Sequence, residues 1–96
     1  MALWLKEATS RLDRKNVEIL FGEHAAKDKN LTIQDIDCVI TVVRIGKIDE
    51  EKSTEEKERV CFKNYFKEKG ETYFVVVEYY PAFIKIITVI KKKGKY

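Results

Sequence analysis

A chain of 96 residues and 11.3 kDa holds one domain and one core, which excludes a multi-domain enzyme or a large doubly wound fold. Hydrophobic residues at 45% suffice for that core, and charged residues at 36% leave a heavily solvated surface. The net charge of +3 conceals a split: residues 85–96 carry five Lys and no acid, whereas residues 1–84 carry fourteen basic against sixteen acidic groups, a net of −2.

Leu5, Ala8 and Leu12 recur at i, i+3 and i+7 with Trp4 beside them, and this spacing predicts a short amphipathic helix over residues 2–14. Val17, Ile19, Leu20 and Phe21 predict a short strand that ends at Gly22. Residues 23–29 are polar and compact, enough for a helical turn or two. Thr32 reads as an N-cap, and Asp35 three residues on completes an acidic capping box. Ile33, Ile36, Ile40 and Val43 then recur at helical spacing, with Val39 filling the stripe and Gln34, Asp35 and Asp37 facing out. Arg44 belongs to the last turn, and Gly46 is placed to end the helix. The β-branched content keeps a strand over residues 38–45 in competition with this helix.

Beyond Lys47 the pattern is β. Ile48 opens a short strand that runs into residues 49–58, which hold no apolar side chain and read as a solvated loop or ragged edge. Residues 59–66 alternate, Lys67 to Gly70 form a hairpin turn, and residues 71–80 are apolar on both faces at their middle, as in a central strand. Pro81 and Ala82 turn the chain into a last strand over residues 83–90, followed by a basic, flexible tail over residues 91–96. Period-two counting there puts Thr88 with Ile84, Ile86 and Ile90, and Lys85 on the opposite face. The order implies an α+β domain spanning residues 1–96, with two N-terminal helices packed on an antiparallel meander of about four strands.

Several classes drop out. No apolar run approaches the roughly 18–20 residues that span a bilayer, and Lys6 and Glu7 interrupt the N-terminal apolar residues before they reach leader length. Cys38 and Cys61 lie inside apolar runs without metal-ligand spacing, and His24 is the single histidine. The expectation is a cytoplasmic protein with buried thiols, no metal site, no cofactor and no membrane partner.

Three pieces in this order carry a resemblance. They are Phe21-Gly22-Glu23-His24-Ala25; Lys29-Asn30-Leu31-Thr32 leading into the helix that closes with Arg44-Ile45-Gly46-Lys47-Ile48; and the pair Phe74-Val75-Val76-Val77-Glu78 and Ile86-Ile87-Thr88-Val89-Ile90. From Val17 onward the chain resembles a family of small bacterial and archaeal domains of unknown function, grouped by fold with the RelE-type, barnase-like toxin nucleases. Lys29 stands where that family has Arg, Asn30 where it has Gly, and Ile90 where a tyrosine often follows.

The resemblance implies a RelE-like fold and metal-independent cleavage of RNA by attack of a 2′-hydroxyl on the adjacent phosphate. Such chemistry needs a proton acceptor, a proton donor and cations around the phosphorane. His24, whose side chain ordinarily titrates near neutrality, becomes the first candidate for acid or base, with Glu23 beside it to polarise it. Thr88 carries the family's threonine. Lys27, Lys29, Lys63 and Lys85 are candidates to contact phosphate, and the Lys91, Lys92 and Lys93 run would attract it electrostatically. The implied partners are RNA and a cognate antitoxin protein. The competing reading is a non-catalytic interaction module that forms a homodimer or binds a protein partner through a sheet face holding Tyr73, Tyr79 and Phe83.

Overall fold

The computed structural model describes residues 1–96. Its elements run α1 (Leu3–Thr9), β1 (Glu18–Phe21), α2 (Glu23–Ala26), α3 (Ile33–Ile45), β2 (Lys47–Ile48), β3 (Arg59–Phe66), β4 (Glu71–Tyr79) and β5 (Phe83–Lys93). The class is α+β, and β2 to β5 form the expected antiparallel meander. The sheet nevertheless has five strands and is mixed, in the order β1-β5-β4-β3-β2, because β1 lies parallel to β5 at its edge. That pairing sets Ile19 beside Ile84 and Phe21 beside Ile86, extending the core and giving the β1 backbone a ladder. α2 and α3 carry the chain from the β1 edge across to β2 at the opposite edge, and the meander then returns strand by strand to set β5 beside β1.

Three helices replace the expected two. α1 stops at Thr9, well short of residue 14. The Thr9 hydroxyl donates back to the Leu5 carbonyl at 2.7 Å and Ser10 Oγ to that of Glu7 at 3.0 Å, an alternative to helix continuation. A turn follows, closed where Val17 N–H donates to Asp13 O at 2.9 Å. Arg44 at the end of α3 clamps this turn, with Nη1 donating to the carbonyls of Arg14 and Val17 at 2.9 and 2.7 Å.

α3 carries the capping box read from sequence: Asp35 N–H donates to Thr32 Oγ1 at 3.2 Å, and Thr32 N–H to Asp35 Oδ2 at 2.9 Å. Its buried stripe is Asp35, Val39, Val42 and Val43, rotated from the expected one, so that Ile33 is 85% exposed. Asp35 causes the difference. It faces inward, where the Tyr73 hydroxyl and the Lys91 ammonium donate to its two oxygens. Leu5, Val39, Val42, Val43, Val60 and Phe62 are among the buried core side chains between the helices and one sheet face.

Gly46 follows α3 with an ordinary φ of −66°, so no left-handed turn explains it. A Cβ there would lie 2.4 Å from the Val42 carbonyl oxygen and 2.9 Å from that of Lys63. Only a residue without Cβ lets α3 pass this close to β3. Gly70, at φ 63°, is the position where the β3–β4 hairpin does use the left-handed region.

The last strand departs furthest from expectation. β5 continues through Lys93, where a flexible tail was expected to have begun at Lys91. Lys91, Lys92 and Lys93 pair in register with Tyr73, Thr72 and Glu71. The remaining residues fold back over the sheet: Gly94 N–H donates to Gly70 O at 2.9 Å, and Thr72 Oγ1 donates to Gly94 O at 2.7 Å. A β-bulge also interrupts the β4–β5 ladder. Val77 pairs with Ile86 and Val76 with Thr88, which leaves Ile87 unopposed.

Candidate nucleic-acid interface

The bulge decides which side chains share a face. Ile84 and Ile86 point to the helices, and after the extra residue so do Val89 and Lys91. Thr88, Ile90 and Lys92 therefore join Lys85 on the sheet face away from the helices. Period-two counting separated Lys85 from Thr88; the structure unites them.

The cross-strand partners on this open face are Glu78 for Lys85, Val76 for Thr88, Phe74 for Ile90 and Thr72 for Lys92. β3 adds Arg59, Cys61, Lys63 and Tyr65, and β2 adds Lys47 directly opposite Lys63. Like charges set opposite one another cost stability unless something draws on them. Asp49 partly offsets this pair, at 3.7 Å from Lys63 Nζ. Glu78 is engaged by Arg59 Nε at 3.1 Å and accepts from the Tyr80 hydroxyl at 3.0 Å. These contacts hold the Glu78 carboxyl below the ordinary range although burial alone would raise it.

Aromatic rings interleave with the cations. Lys85 Nζ lies 5.7 Å from the Tyr80 ring centroid, Lys92 Nζ 5.8 and 5.5 Å from those of Phe74 and Tyr96, and Lys95 Nζ 5.9 Å from that of Tyr65. Lys52 closes over Phe74 at 4.9 Å, and the Tyr96 ring meets Phe74 edge-on at 5.9 Å, so Phe74 is only 2% exposed. The segment expected to be a solvated acidic loop is half folded onto this face. Ser53 Oγ donates to Asp49 O at 2.7 Å and accepts from Cys61 N–H at 2.9 Å.

The other candidate residues are dispersed. His24 is exposed on α2, a helix that packs against β5 from the helix side through Ala25. Thr88 projects from the opposite side of that strand, so His24 and Thr88 do not form one cleft. Glu23 is engaged by Lys27 at 2.7 Å and is not aimed at His24. Lys29 and Lys93 are exposed. Lys91 turns inward, donating to Asp35 Oδ2 at 3.0 Å and to Asn30 O at 2.9 Å, so its charge is spent on the fold.

The surface imagined for the interaction module is divided as well. Tyr73 and Tyr79 face the helices, whereas Phe83 stacks on Tyr80 at the open side. Tyr79 Oη is buried without a hydrogen-bond partner, and burial pushes its pKa up to about 12, with Arg14 acting in the opposite sense. Cys61 is completely buried, and burial, reinforced by Asp49, holds its thiol protonated to about 12. It is therefore unsuited to nucleophilic or ligand chemistry. No group of three or more His, Cys, Asp or Glu is placed to hold a metal ion, and no helix is long and apolar enough to cross a membrane.

The structure brings Lys63, Lys85, Lys92 and Thr88, candidates read from sequence, onto one face together with Arg59, Lys47 and Tyr80, which sequence reasoning did not single out. Alternation along β4, carried one residue past its end, puts Tyr80 on the same face as Glu78 and Phe74. Lys52, Lys95 and Tyr96 reach the face only through chain reversals, which no periodicity reveals. No family model matches the chain, and neither a curated protein nor a solved structure matches it.

Proposed function

We propose that the chain binds RNA on its open sheet face. The observation that carries this reading is the interleaving of Lys85, Lys92 and Lys95 with Tyr80, Phe74 and Tyr65 on one side of the sheet. Ammonium groups there meet phosphate, and the exposed rings of Tyr80 and Tyr96 offer flat apolar surface to bases, Phe74 lying buried beneath Lys52 and Tyr96. Asp49 and Glu78 are both already engaged by cations, so they add little repulsion. The double substitution Lys85→Ala with Lys92→Ala should weaken RNA binding about tenfold or more and flatten the dependence of log affinity on log salt by about 0.7–0.9 per lysine lost. Fluorescence anisotropy across a salt series measures both. An unchanged slope would place the phosphates elsewhere.

A second reading, RNA cleavage of the RelE-like kind, is favoured by the exposure of His24 on the helix that adjoins β5. In that step the 2′ oxygen loses its proton to a base and bonds to phosphorus as the bond to the 5′ oxygen breaks, and an acid protonates the leaving oxygen. His24 would serve one of these proton transfers. His24→Ala should abolish 2′,3′-cyclic phosphate ends while leaving RNA affinity unchanged. Ends formed at the wild-type rate would remove His24 from the chemistry.

A further inference from the structure

The Tyr80–Phe83 pair has more order than a chance surface contact. The two rings stack with centroids 4.9 Å apart and planes 7° from parallel. Tyr80 N–H donates to Phe83 O at 2.9 Å across the two-residue turn of Pro81 and Ala82, which fixes both backbones. The Tyr80 hydroxyl donates to Glu78, and Glu78 is itself held by Arg59. The ring is thus locked at its tip, its base and one face, yet Tyr80 remains 37% exposed. A fixed, exposed aromatic ring beside a lysine is costly to maintain in water and is preorganised to receive another flat ring.

Duplex RNA cannot use such a ring. Its bases are already stacked on one another, and a protein meets it through phosphates and 2′-hydroxyls along the minor groove. Lysines alone would suffice for that purpose. An unpaired strand exposes base faces, and aromatic side chains take them up. We propose that the RNA bound on the open face is unpaired, and that the Tyr80–Phe83 pair is the platform on which one of its bases stacks, with Lys85 on the adjoining phosphate. This rests on the RNA-binding reading and specifies the form of RNA it selects.

The test compares a labelled single-stranded oligonucleotide with the duplex of the same sequence by fluorescence anisotropy, at one salt concentration. The single strand should bind about tenfold tighter or more. Tyr80→Leu should remove most of that preference while duplex binding stays as it was, and Tyr80→Phe, which keeps the ring, should retain it. Thermal unfolding of both variants near the wild-type temperature shows that the fold survives. Equal affinity for the two forms, or a preference indifferent to Tyr80→Leu, would overturn the stacking platform while leaving RNA binding in place. Absence of binding to either form would overturn the RNA reading itself.

Discussion

Asp35→Ala is expected to destabilise the domain by about 3–5 kcal/mol, the range for opening a buried charge pair. Asp35 is 3% exposed, and its two oxygens serve four groups. Oδ1 accepts from the Tyr73 hydroxyl and lies 3.6 Å from Lys69 Nζ; Oδ2 accepts from Thr32 N–H and Lys91 Nζ. Truncation removes half of the α3 capping box and leaves the fully buried Tyr73 hydroxyl and the Lys91 ammonium without their carboxylate. For a domain of this size the melting temperature should fall by about 15 °C or more. Differential scanning calorimetry measures it, and a fall of only a few degrees would show that water replaces the carboxylate cheaply.

The same residue sets an acid limit. Burial alone would raise the Asp35 carboxyl, but the Tyr73 hydroxyl, Thr32 N–H and Lys91 outweigh it and hold the carboxyl far below the ordinary range. A carboxyl depressed in the folded state contributes stability that is complete above its unfolded value, near about 4, and is lost as pH falls below it. Wild-type stability should therefore drop on acidification through this window more steeply than that of Asp35→Ala. At the alkaline end the sign reverses. Burial, and then Asp35, raise the Tyr73 hydroxyl, so its contribution holds below about pH 10 and fades above it.

Gly46→Ala is expected to cost about 3 kcal/mol, at the upper end for forcing extra volume into a packed site. The obstacles to a Cβ are two carbonyl oxygens, those of Val42 and Lys63, and neither can swing aside as a flexible side chain would. Relief requires α3 to move from β3, which would disturb the Arg14 bond to Gly46 O at 3.0 Å and the Arg14 guanidinium lying 4.2 Å over the Phe62 ring. Chemical denaturation midpoints for the two proteins test this. A shift near zero would mean that the helix end is looser than its contacts imply.

Much of the fold follows from local signals. Thr32 and Asp35 announce the start of α3, Gly70 marks the hairpin, and the apolar middle of β4 marks it as central. What escapes is decided over long distance. Asp35 carries no local mark of burial, because its partners Tyr73 and Lys91 lie far along the chain, and their pull rotates α3 away from the stripe its isoleucines suggest. The place of β1 beside β5 is equally non-local, since four residues cannot declare which strand they will pair with. Lys91 and Lys92 look equivalent in sequence, yet one neutralises a buried acid and the other lies over Phe74. Lysine runs reveal charge but not direction.

Ile87, the residue that β4 leaves unopposed, gives β5 a tolerance to changes of length that its neighbours lack. Losing Ile87 would restore plain alternation and keep Lys85, Thr88 and Lys92 where they are. Losing Ile90 would instead exchange the two sides for everything after it, aiming Lys91 at solvent and Lys92 at Asp35. The strand can thus shed a residue at that one point without trading inside for outside.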